Sequence, residues 1–598
     1  LNLATTSPVN VSGASQIGGS STGAITLPAI QLADGASLIL GAGGATPITT
    51  AAISGTAGAA SSSIAFDTLG AVNVTGAMGT DLGSVTLTSV GGATFGSTLS
   101  AATVTIVSAT GTVTVAGNLT TTGNLDAQQA NYALRLQGNT NTIGGKLLLA
   151  NQGTTLLGTT TGAKTLATAG ISAQPGNTVN TIGTLATAGA AASLEGFSLA
   201  GNTLVDTTNG GAVPSGAPIA FASVQTNGYL LTLNAGTGGK TVITDITLSG
   251  VFSSVSPVEF AGKVTLAGNS TLLAPGIGFT SAGSVAGNNK TLTVTTDSFA
   301  FASGGTLADL TQLSVTSKTA GVAMGLGDKS GAPILLSDAF LAAADSAAGV
   351  ALLRIGSGSG NGPITVYTAD GQVEINTATK LYGSGSTTVL SSDIAVVGDL
   401  LLDDALQVDG GTRVIEASGN LTVTGGTAGI FATKGQTNNL ALKAGSALLA
   451  GSTAGFGTGS GSLVQNITLE GGSVTLGPTA TTLAGNLSAV SSSANLAFTG
   501  PVVAGGSVSV QSDSPISLKS ITTGSVAGLG ISQTGTGAVT LADNLATAGG
   551  SISFDSAITL STPVSGALVS IATTAGGNAG APISLQGVTG SANDLRLD

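Results

Sequence analysis

A short repeated pattern excludes most folds for this chain. An apolar residue, a Thr or Ser, and a second apolar residue recur, separated by Gly or Asn. In Gly228–Leu272, Leu231 and Leu233 alternate with Thr232 and Asn234. Gly236–Gly239 break the run, and Val242, Thr244, Ile246 and Leu248 then share one parity. Alternation with a period of two puts one set of side chains inside a strand and the other outside. The same triplet returns as Val72-Asn73-Val74, Val113-Thr114-Val115, Leu421-Thr422-Val423, Val474-Thr475-Leu476 and Val539-Thr540-Leu541. The spacing, roughly 9 to 20 residues, suits coils of two or three short strands joined by variable turns. Parallel crossovers in one sheet are overwhelmingly right-handed. The pattern therefore predicts an all-β fold, a right-handed parallel β-helix (solenoid) running through residues 1–598.

Composition supports this reading. Gly accounts for 94 of 598 residues, aromatics for 3% and charged residues for 7%. A narrow interior filled with Val, Leu and Ile has little room for rings. Disordered chains combine low hydrophobicity with high charge, and this chain has neither. Gly is not at every third position, which excludes collagen. No run of about 18 apolar residues is long enough to span a bilayer. Cys and His are absent, so neither disulfides nor thiolate or imidazole metal ligands exist. A formal charge of −12, with 15 basic residues scattered singly, disfavours nucleic acid as a partner.

Longer repeats lie above the triplets. TLATAG stands at Thr165–Gly170 and Thr184–Gly189, and LATAGG at Leu545–Gly550. GAPI stands at Gly216–Ile219, Gly331–Ile334 and Gly580–Ile583. The context around the first and third aligns Leu595-Arg596-Leu597-Asp598 with Leu231-Thr232-Leu233-Asn234. Both ends of the chain fall in mid-pattern, which predicts that it is part of a longer repeat protein. One segment departs from the rule. In Ser337–Arg354, Ser337 or Asp338 is placed to cap a short Ala-rich helix ending near Gly349, an insertion carried on the coil. Leu125–Leu136 is read as strand from the parity of Ala133–Leu136.

The combination of NDLRLD near the carboxyl end, LTLNAGTGGK at 231–240, and GxVTL and GNLT coils resembles the repeat regions of large bacterial surface proteins. These are of the filamentous-haemagglutinin type, or passengers of autotransporters. The resemblance implies a secreted or cell-surface β-helix acting as adhesin, matrix component or fibre, able to associate with copies of itself. The amino-terminal secretion domain of that family is not recognisable in the opening residues.

Candidate chemistry is sparse. Asp393, Asp399, Asp403, Asp404 and Asp409 form the densest acidic patch. Carboxylates and turn carbonyls suit calcium, with Asp399, Asp403, Asp404 and Asp409 as the candidate ligands. The nonapeptide of calcium-binding β-rolls is missing, and a solvated acidic face is the ordinary reading of such a cluster. Hydrolysis of a glycan needs two carboxylates about 5 to 9.5 Å apart. Asp370 with Glu374, or Asp403 with Asp409, are the pairs available, with Tyr367 and Tyr382 as nearby rings. The Gly-rich run Gly356–Gly362 lacks the Gly-Lys-Ser/Thr of a phosphate loop and reads as a turn. Asn10, Asn73, Asn118, Asn269, Asn420, Asn466 and Asn486 stand in Asn-x-Ser/Thr sequons, as expected by chance in a chain this rich in Ser and Thr. The expected function is structural and non-enzymatic, at the cell surface or outside the cell, with no cofactor. Alternatives are a glycan-binding or glycan-cleaving β-helix and a surface-layer lattice protein.

Overall fold

A computed structural model describes residues 1–598 apart from 4, 20–22, 329–330, 357–361, 458–460, 525, 527, 578 and 591–592, and the side chains of 383–385. Most of the Gly356–Gly362 run therefore lies outside the described residues. The chain forms two compact units, Leu1–Asn288 and Asn289–Asp598. Each is a right-handed parallel β-solenoid.

In the first unit the coil is triangular. Val113–Val115, Leu119–Thr121 and Leu125–Ala127 are the three strands of one turn. Each pairs in parallel with its counterpart in the next turn: Val113 with Leu134, Thr120 with Thr142, Leu125 with Leu147. The ladder then continues to Thr155, Leu166 and Ile171. Within each strand the first and third residues are buried and the middle one faces outward. The predicted alternation thus becomes three inward stacks of aliphatic side chains. Full burial of each Val, Leu or Ile contributes roughly 1.5–3 kcal/mol.

The second unit repeats this arrangement. Leu487–Ser491, Leu496–Phe498 and Val502–Ala504 stack on Val508–Ser512, Ile516–Leu518 and Ile521–Thr523. Val474, Leu476, Val539 and Leu541, like Val264 and Leu266 in the first unit, are at most 1% exposed. The step between paired strands of successive coils is 17 residues between Thr241 and Val258 and 40 between Leu313 and Leu353. The triplets stay in register because the extra residues are taken up in the turns.

The corners are held by asparagine. The Asn439 side-chain oxygen accepts the Asn466 N–H at 3.2 Å, Asn466 accepts Asn486 N–H at 2.8 Å, and Asn486 accepts Ser507 N–H at 2.7 Å. Asn118 and Asn420 do the same for Thr140 and Ala447. Each satisfies a turn N–H that the strand ladder misses. Asn118, Asn420, Asn466 and Asn486 of the sequons thus have a structural role at the corners. Inside the first unit Asn151 and Asn177 form a buried pair, Nδ2 to Oδ1 at 2.9 Å.

Two segments differ from expectation. Within Leu125–Leu136, strand covers only Leu125–Ala127 and Leu134–Leu136, because residues 128–133 turn a corner of the coil. The inserted helix α1 spans Asp338–Ala343, with the Ser337 hydroxyl accepting from Phe340 N–H. It stops six residues short of Gly349. Ala344 leaves helical geometry (φ −81°, ψ 63°), and Asp345 folds the next residues into a turn by accepting Ala347 N–H at 2.8 Å. Phe340 anchors α1, edge-on to Phe299 and Phe301 at 5.3 and 5.6 Å between ring centres.

Candidate functional site

The acidic patch predicted from sequence is spread along several coils. Asp393 Oδ1 accepts Val414 N–H at 2.9 Å, and Asp399 Oδ1 accepts Asn420 N–H at 2.8 Å. Both do at a corner what asparagine does elsewhere. Asp403 faces outward and accepts from the Thr424 hydroxyl at 3.1 Å. Asp404 is the next residue and faces inward, 1% exposed, accepting from the Thr388 hydroxyl at 2.8 Å. Asp409 accepts from Ser391 and Thr433 hydroxyls at 3.2 and 2.8 Å. Alternation along the strand sends Asp403 and Asp404 to opposite sides of the wall. Among the described residues, no group of three or more acidic side chains lies close enough to hold a metal ion.

The carboxylates considered for glycan cleavage are Asp370, Glu374, Asp403 and Asp409. Asp370 neighbours Asp338, at the start of α1, and Asp328, whose side chain hydrogen-bonds Asp338. Burial, that hydrogen bond and the two neighbouring charges raise the Asp338 pKa from 3.8 to about 6. Glu374 faces outward from Gln372–Ile375, in register with Ala395 and then Glu416. The Asp328–Asp338–Asp370 grouping is not legible in the sequence, because its members follow Met324–Leu326, Ile334–Leu336 and Ile364–Val366, strands that only the parallel stacking sets side by side.

Tyr382 lies in strand Thr379–Leu390, and the guanidinium carbon of Arg354 stands 4.3 Å from its ring centre. Tyr367 is 36% exposed in the preceding coil. Arg135 points outward from strand Leu134–Leu136. Arg413 bonds back to the carbonyls of Asp409, Gly410 and Thr412, and Arg596 pairs with Asp598 at 2.6 Å. A surface groove of about 480 Å³ runs across the outward row that includes Lys380, Leu401, Thr422 and Leu449.

No helix among the described residues is long and apolar enough to cross a membrane. No family model, curated protein or solved structure matches the chain.

Proposed function

We propose that this chain is a structural scaffold of the cell exterior: a stiff β-helical element that associates with copies of itself in a fibre or adhesive layer and catalyses no reaction. The observation that carries this reading is the register of the coils. Parallel ladders repeat strand on strand through each unit, over a buried interior of aliphatic and phenylalanine side chains and with Asn ladders at the corners. Bending such a stack breaks many bonds at once, so its material property is stiffness.

The outward rows support self-association. Thr468, Ser488, Ser509, Ser532 and Ser553 follow one another in register and present a small hydroxyl at every step. A second copy lying along such a row repeats one contact many times, and weak contacts in series add up through effective concentration. Negative-stain electron microscopy of purified protein, with fractionation of cells that make it, tests this. Threads or bundles, and protein in the surface or medium fraction, are expected. Compact single particles confined to the cytoplasm would overturn it.

A further inference from the structure

Arg354 and Lys380 occupy one outward row of the second unit, in adjacent coils and in register. Like charges placed directly across a strand pair repel and weaken it. The chain has 27 acidic residues against 15 basic ones, so acidic partners are plentiful. In the neighbouring row they are used: Lys443 stands between Glu416 and Glu470 and pairs with Glu470 at 3.6 Å. Among the described residues, neither Arg354 nor Lys380 belongs to an ion pair. Arg354 is instead stacked over the Tyr382 ring, which fixes its guanidinium in place.

The groove begins at Lys380 and passes over Leu401, Thr422 and Leu449, one residue from each successive coil. Asp399 and Asn420 also line it. The Asp399 carboxylate is held by Asn420 N–H, and the Asn420 side chain is held in turn by Ala447 N–H. Two cations without acidic partners call for an anion. Asp399, and Asp403 beside Tyr382, call for hydroxyl donors on the same ligand, which the phosphodiester backbone of DNA lacks. The leucine rungs offer an apolar strip.

A sugar acid meets all three conditions. Its carboxylate suits the fork of Arg354 and the ammonium of Lys380. Its hydroxyls donate to Asp399 and meet the Asn420 amide. Its C–H face lies on Leu401. The geometry points to a binding site for a uronic-acid polysaccharide along the row Arg354–Lys380–Leu401–Thr422–Leu449. The site is independent of the scaffold reading: protein that forms no threads can still bind the polymer, and threads can form without it.

The test is gel retardation of the full chain by polygalacturonate, with neutral galactan and a DNA oligonucleotide as comparisons. Retardation by polygalacturonate alone is expected. Arg354→Gln with Lys380→Gln weakens binding tenfold or more, whereas Lys434→Gln with Lys519→Gln, at exposed positions elsewhere, leaves it unchanged. Asp399→Asn also weakens binding, although it makes the groove more positive. Simple charge attraction predicts the opposite for that variant. Each variant is first shown to melt as the unaltered chain does, and the single substitutions are read if the double one does not. Binding that survives loss of both cations, tightens in Asp399→Asn, or is matched by DNA would overturn the assignment.

Discussion

Two segments of the molecule, 184–234 and 545–598, solve one structural problem in nearly the same way. In the first, Thr207 ties off a loop: its hydroxyl donates to Ala217 C=O at 2.8 Å and accepts Ala217 N–H at 2.9 Å, ten residues on. In the second, Thr573 does the same with Ala581, at 3.0 Å in both directions, eight residues on. The coil beneath matches as well. Ala188 bridges Thr208 antiparallel, and Ala548 bridges Thr574. In the following coil Thr207 N–H donates to Asn234 C=O, and Thr573 N–H to Asp598 C=O. The alignment of Leu595–Asp598 with Leu231–Asn234, read from letters alone, is thus a hydrogen-bond equivalence.

The differences are instructive. The longer loop has an extra brace. Asp206, 3% exposed, accepts the Thr208 N–H and hydroxyl at 2.8 and 2.6 Å and the Gly210 N–H at 2.5 Å. Asn209, Gly210 and Gly211 run with φ of 52°, 70° and 90°, a left-handed path that Gly576 and Gly577 share in the shorter loop, at 75° and 78°. The shorter loop has Ala572 at the equivalent position and does without. Beneath the loops, Thr187 donates to Ala190 C=O, whereas Thr547 donates to Gly550 C=O. A Cβ on Gly550 would stand 1.8 Å from the Leu529 carbonyl oxygen, so only glycine fits there. The hydroxyl staple is common to both segments, and the carboxylate and the glycine are local additions.

The largest effect is expected from Asp206→Ala. It strands buried N–H donors and costs about 3 kcal/mol of local stability, read as faster hydrogen exchange across 207–217. The shorter loop should not respond. Gly550→Ala comes next, at about 2 kcal/mol from overpacking, seen in exchange of 545–550. The reverse change, Ala190→Gly, should cost far less. Thr207→Val and Thr573→Val each remove the staple and cost roughly 1–2 kcal/mol. Unequal losses would show that the staple is not shared. The smallest effect is on pH. Asp338 has a folded pKa of about 6, raised first by burial and then by Asp328 and Asp370. The protonated form is favoured in the folded state, so its stability is full below 3.8 and is lost as pH rises through about 6. Exchange protection of Phe340 and Leu341 should fall between pH 4 and pH 7, and Asp338→Asn should flatten that change.

The coil was legible because its rule is local. Parity assigns Val113, Val115, Val539 and Leu541 inward without knowledge of the neighbouring turns. The start of α1 was legible for the same reason: Ser337 is a capping residue next to the segment it caps. Its end was not, since Asp345 stops it through a side-chain bond that leaves no mark in composition. The groove over Leu401 and Leu449 and the register of Arg354 with Lys380 depend on how many residues each turn consumes. That number varies from coil to coil, so no fixed period in the sequence exposes it.

Register is also what the whole account depends on, and the absence of native Cys makes it directly measurable. Thr540 and Thr559 are outward partners in adjacent coils, and Ser517 pairs with Thr540 on the other side. Neighbouring strands about 4.8 Å apart bring such a pair within disulfide reach, and a second coil step does not. Oxidation of the Thr540→Cys/Thr559→Cys protein should close an intramolecular disulfide in high yield, while Ser517→Cys/Thr559→Cys should remain reduced. A bond in the second protein and none in the first would contradict the stacked parallel coil.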